Sequence, residues 1–171
     1  LYAIRMAHLY EKKVYMTVNT LVKEAELEKL PAFLQPYYEE GLDGVIMQDL
    51  GAVRMIRRFF PDLEIHASTQ MTINNAQGAR LMKDMGFARV VPARECTLDE
   101  LRKMADVGVE VEAFAHGALC VAVSGQCLFS SMIGGRSGNR GRCAQPCRLP
   151  YTLEDGTSGY LLSTKDLMLI D

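Results

Sequence analysis

Four of the chain's five cysteines, Cys120, Cys127, Cys143 and Cys147, fall in one stretch with C-x6-C-x15-C-x3-C spacing; only Cys96 stands apart. Thiols this close in sequence can converge on one point, and thiolates are the ligands that soft metals and iron–sulfur clusters take. Structural zinc favours paired C-x2-C knuckles, and no such pair occurs here. Iron–sulfur clusters accept less regular spacing, and a proline beside a ligand, as Pro146 stands beside Cys147, recurs among them. Gly117, Gly125, Gly134, Gly135, Gly138 and Gly141 would let the backbone bend round a bound group and aim N–H donors at it. The plain alternative is that the cysteines are small buried hydrophobes. The spacing leaves zinc, cluster and buried thiols open.

The same stretch is basic. No acidic residue lies between Glu112 and Glu154, whereas Arg136, Arg140, Arg142 and Arg148 all do. The net charge of −2 therefore divides into a segment of +4 and a remainder of −6. Charge separated in this way marks a local anion site, for phosphates or a dicarboxylate, or else a solvated loop. His116 precedes Cys120 by four residues, which admits a cysteine nucleophile with a histidine base. Ser124 lacks the flanking glycines of a nucleophile elbow, and there is no His-Glu-x-x-His zinc motif.

The elements that must position these residues alternate. Strands are expected at 13–19, 44–49, 64–68, 89–93 and 110–115, where β-branched residues run between turn signals. Helices are expected at 24–40, 52–60, 75–85 and 98–107 from apolar spacing, with Pro31 and Pro36 kinking or breaking the first. Thr97 and Glu100 form a capping-box signature. Successive β–α units imply a parallel sheet, either a TIM-type barrel or a doubly wound sheet, and the lack of a Gly-rich phosphate fingerprint disfavours the latter. Polar residues recur at the strand ends: Asn19, Gln48, Asp49, Ser68 to Gln70, Arg94, Glu95 and His116. In a barrel those ends share one face, where the chemistry sits.

The segment 151–160 reads as a hairpin around Asp155-Gly156, and 161–171 as the start of a further element. The division expected is 1–117 for the β/α units, 118–150 for the cysteine and arginine loop, and 151–171 for the hairpin and that further element. With 171 residues, 49% hydrophobic and 23% charged, the composition is that of a globular domain. No run of apolar residues is long enough for a membrane span. The odd cysteine count, without a secretion signal, points to a reducing, cytoplasmic setting. The opening Leu1-Tyr-Ala-Ile-Arg5 reads as mid-helix, so earlier strands are expected.

The run from Glu112 through Phe114, Gly117, Cys120, Gly125 and Cys127 to Ser130 closely resembles the signature of the collagenase-like peptidase family U32. Phe129 departs from it, since an aliphatic residue is usual there. Gly138-Asn-Arg-Gly-Arg-Cys143-Ala-Gln-Pro-Cys147-Arg148 resembles the same family, as do His66-Ala-Ser-Thr-Gln70 and Arg94-Glu95. The resemblance implies a TIM-barrel-like α/β fold, partial here because the first strands would precede Leu1. It also implies oxygen-independent hydroxylation of tRNA uridine, rRNA cytidine or the ubiquinone ring, with prephenate as hydroxyl source in some relatives. A 4Fe–4S cluster would sit on Cys120, Cys127 and Cys143, with Cys147 as fourth ligand or another beyond Asp171. On this reading His116 and Glu112 lie beside the cluster, and Gln70, Arg94, Arg136, Arg140, Arg142 and Arg148 receive an RNA or other anionic substrate. The alternatives are a peptidase acting on peptide substrates and an RNA-binding barrel with a structural cluster. Open sheet edges would favour a homo-oligomer.

Overall fold

The alternating runs form five parallel strands: β1 (Tyr15–Val18), β2 (Gly44–Met47), β3 (Glu64–Ala67), β4 (Arg89–Val90) and β5 (Glu110–Val111). The computed structural model describes residues 1–164 and the backbone of Leu167–Met168. Helices α1 (Tyr2–Leu9), α2 (Glu24–Leu27), α3 (Leu30–Glu39), α4 (Leu50–Phe59), α5 (Ala76–Asp84) and α6 (Leu98–Ala105) alternate with the strands. The strand order is β1-β2-β3-β4-β5, each neighbour parallel. A sequential order has no switch point, so the doubly wound alternative falls away. The expected barrel is not closed: among the described residues the sheet is open, with β1 and β5 at its edges.

Strand alternation gives the sheet two unlike faces. On one, Val45, Met47, Ile65, Ala67 and Val90 are withdrawn from water and pack with Leu34, Val53, Ile56, Met82 and Met104 of the helices. Each fully buried side chain of the larger sort contributes about 1.5–3 kcal/mol. The other face is polar. The Tyr15 and His66 rings lie 4.5 Å apart, and the Arg89 guanidinium sits 5.0 Å from the Tyr15 ring. Arg89 also donates to Glu110 and Glu112, each at 2.8 Å.

Helix starts follow local chemistry. Asp49 accepts from Ala52 N, Asn75 from Gly78 N, and Thr97 forms the expected reciprocal pair with Glu100. The single helix expected over 24–40 is two, divided at Glu28–Lys29, with Pro31 in the first turn of α3 where its missing N–H costs nothing. Strands β4 and β5 are shorter than expected. Pro92 has no N–H for the ladder after Val91, and beyond Glu112 the chain leaves the sheet. It then forms β6 (His116–Gly117), which belongs to a separate two-stranded sheet and precedes α7 (Phe129–Gly134); neither element is evident in the sequence. The expected hairpin is present as β7 (Tyr151–Thr152) and β8 (Ser158–Gly159), antiparallel, with Gly156 at φ +85° in its loop. Of the further element expected at 161–171, the antiparallel pairing of β9 (Leu167–Met168) with β6 is described; Lys165, Asp166 and 169–171 lie outside the described residues.

Candidate functional site

The loop 118–150 is fastened over the C-terminal ends of β1 to β4 by polar contacts rather than by a core. Ser124, 1% exposed, is the main fastener. Its N–H and hydroxyl donate to Glu95 Oε1 at 3.0 and 3.3 Å, and its hydroxyl accepts from Arg94 N at 3.2 Å. Its carbonyl accepts from Thr72 Oγ1 at 2.6 Å. Gly125 follows at φ +79°, and a Cβ there would lie 2.1 Å from the Gln70 carbonyl oxygen. Only glycine allows this approach of loop to strand end. Farther along, Asn139 Nδ2 donates to the Gly125 carbonyl at 2.6 Å, and Leu21 N donates to the Asn139 carbonyl at 3.0 Å. Arg140 forms a two-pronged ion pair with Glu26 and donates to the Leu21 carbonyl. That guanidinium pulls the Glu26 carboxyl down to about 2.

With the loop fastened, Cys120, Cys127, Cys143 and Cys147 line one cavity of about 210 Å³, together with Gln70, Arg94 and Asn139. Arg94 Nη1 lies 3.6 Å from Cys120 Sγ while its guanidinium stacks 4.7 Å from the Phe114 ring. Gln145 N donates to Cys143 Sγ at 3.3 Å, from a left-handed Gln145 at φ 55°. Backbone and guanidinium donors to sulfur stabilise thiolate charge. Among the described residues no three His, Cys, Asp or Glu side chains are gathered tightly enough for one metal ion. Four thiols on one cavity are the donor set that a polynuclear group on thiolates takes.

The other candidate residues divide. Gln70 and Arg94 line the cavity; Glu112 and His116 do not. Glu112 is tied to Arg89, and the exposed His116 ring has no hydrogen-bond partner among the described residues. Arg148 donates to the Leu119 and Thr164 carbonyls and to Ser163 Oγ, bracing the loop from behind. Arg136 donates to the Arg142 carbonyl at 3.1 Å, and both side chains are exposed outside the cavity. Cys96 lies elsewhere, half-buried, and burial pushes its thiol up. His66 is wholly buried, and burial holds its imidazole below the ordinary value. Ser124, Thr72 and Asn139 are missed by sequence reasoning. Their side-chain contacts lie 14 to 54 positions away, and only Gly125 hinted at the close approach.

Residues 2–171 match the profile of Peptidase family U32. The chain belongs to that family. It is 42% identical over 170 residues to the 23S rRNA 5-hydroxycytidine C2501 synthase of Escherichia coli (strain K12), covering 95% of this chain and 26% of that protein. It is 34% identical over 181 residues to tRNA hydroxylation protein P1 of Bacillus subtilis (strain 168), covering 98% of this chain and 43% of that protein. The chain thus spans less than half the length of these relatives. A solved U32 peptidase structure superposes with a TM-score of 0.56 at 14% identity, over 67% of this chain and 50% of that one, which speaks to the fold alone. No described helix is long and apolar enough to cross a membrane.

Proposed function

We propose that this chain is the cluster-bearing part of a U32 hydroxylase that modifies a pyrimidine of rRNA or tRNA. The observation that carries the reading is the convergence of four thiols on one cavity at the strand ends, with Arg94 and Gln145 N directed at two of the sulfurs. A 4Fe–4S cluster on Cys120, Cys127, Cys143 and Cys147 would supply one-electron redox chemistry when bound. The chain's own residues do the rest. Arg94 balances thiolate charge, the Ser124 fastening fixes the Cys120–Cys127 arm, and the exposed Arg136 and Arg142 meet phosphate or a dicarboxylate such as prephenate. His116 and Glu112 come beside the substrate only if the remainder of the protein closes the open sheet into a barrel round them. The open edges also suit pairing with a second copy.

The names of the two relatives described above support RNA as substrate, while others named as a protease and a collagenase keep the peptide alternative. A cysteine peptidase needs a base within hydrogen-bond reach of its nucleophile. Among the described residues Cys120 Sγ meets Arg94, and no histidine. The test is nucleoside mass spectrometry of rRNA and tRNA from a strain lacking the full-length protein. Loss of one hydroxylated pyrimidine, restored by the wild-type gene and not by Cys127→Ser, is the expected result. An unchanged nucleoside profile refutes the reading.

A further inference from the structure

Beside the cysteine cavity, and sharing Gln70, Gly125 and Asn139 with it, lies an open cleft of about 520 Å³ at the ends of the strands. Its polar lining is mainly carboxamide: Gln48, Gln70, Gln126 and Asn139. The cleft's cation, Arg140, is already neutralised by Glu26 and hydrogen-bonded to the Leu21 carbonyl. A cleft built this way offers hydrogen bonds without net charge.

The orientation of two of these amides is fixed by their partners. Gln48 Nε2 donates to the Asn19 carbonyl at 2.7 Å, which settles which end of that amide is nitrogen. The same nitrogen donates to Gln70 Oε1 at 2.9 Å, so Gln70 keeps its oxygen toward Gln48 and its NH2 group has no partner among the described residues. Asn139 is fixed likewise: its nitrogen donates to the Gly125 carbonyl, and its Oδ1 is buried with no partner among the described residues. A buried unpaired amide oxygen is costly and calls for a donor. The wall between the two cavities therefore presents one uncommitted donor, on Gln70, while Asn139 Oδ1, closed off from the cleft, leaves that amide to hold the Gly125 carbonyl.

We infer that this cleft is a nucleobase pocket in which the free Gln70 amide donor reads the hydrogen-bonding edge of the target pyrimidine beside the cysteine cavity. The inference rests on the hydroxylase reading above and names its substrate subsite. A neutral base edge carries adjacent donors and acceptors, and extruding a base into a pocket is how enzymes reach a nucleobase for chemistry. A dicarboxylate or phosphate would instead call for free cations, which this cleft lacks among the described residues.

The full-length protein tests this in a deletion strain, with wild-type, Gln70→Glu and Gln70→Met genes supplied in turn. Gln70→Glu keeps the acceptor for Gln48 and removes the donor; Gln70→Met removes the donor without adding charge. Both are expected to lower the modified pyrimidine at least tenfold, the scale of one lost base-reading contact. Iron per chain and absorbance near ~400 nm in the anaerobically purified variants should match wild type. Modification within twofold of wild type in both variants overturns the pocket. So does a loss of iron that parallels the loss of modification, because Gln70 would then serve the cysteine cavity. If the wild-type gene itself restores no hydroxylated pyrimidine, the hydroxylase reading fails and the pocket with it.

Discussion

Residues 1–111 hold their helices to the sheet through side chains such as Leu34, Val45, Met47, Ile56, Phe60 and Ile65, all nearly excluded from water. Residues 118–150, by contrast, leave Val121, Val123, Leu128, Met132 and Ile133 between 42% and 81% exposed. That loop is held through Ser124, Asn139, Arg140 and Arg148 instead. The first region draws its stability from apolar burial spread over many residues; the second depends on a few directed contacts. Segments with few buried apolar contacts open at lower cost than the core. The loop that carries the candidate chemistry is thus more easily loosened than the β/α layer without unfolding the protein.

Substitutions in each region should separate the two. Phe60→Ala, at 1% exposure and with its ring centroid 4.9 Å from that of Tyr38, should cost about 3–5 kcal/mol and lower the denaturant midpoint of the whole β/α layer. Ser124→Ala should cost about 1–3 kcal/mol, felt locally, because it leaves Arg94 N without its acceptor. Amide exchange and proteolysis across 118–150 should then accelerate while exchange in β2 and β3 stays at wild-type rates. Equal acceleration in both regions would show that loop and layer are one cooperative unit.

A smaller effect comes from acid. The Glu26 carboxyl, whose ordinary value is 4.5, is lowered to about 2 by Arg140. A lowered carboxylate contributes fully above pH 4.5, and its contribution is lost as pH falls through about 2. The pair is partly exposed and solvent-screened, so the effect is modest. Between those limits loop exchange should quicken in the wild type, and Glu26→Gln should remove that pH dependence.

Legibility in the sequence follows the same divide. The β/α units are readable because apolar period and capping residues act within a few positions, as at Thr97–Glu100 and Asn75–Gly78. Boundaries slipped where tertiary pairing ended a strand early, at Pro92 and beyond Glu112. In the loop, residue type alone marks the four cysteines as candidates to share a cavity. Charge, however, cannot reveal that Arg140 is claimed by Glu26, 114 positions away, or that Arg148 reaches Leu119. Ser124, which lacks the glycines of a nucleophile elbow, serves as a fastener. Its role exists only once Arg94, Glu95 and Thr72 are brought to it by the strand ends.

Everything proposed for the cavity depends on Cys120, Cys127, Cys143 and Cys147 together holding one cluster. Iron analysis and absorbance of the full-length protein, purified and reconstituted without oxygen, test this most directly. The expected result is about four iron atoms per chain with a band near ~400 nm, reduced sharply by Ser at any of the four positions and unchanged in Cys96→Ser. A colourless, iron-free wild-type protein after reconstitution, or full iron in Cys127→Ser, would contradict it.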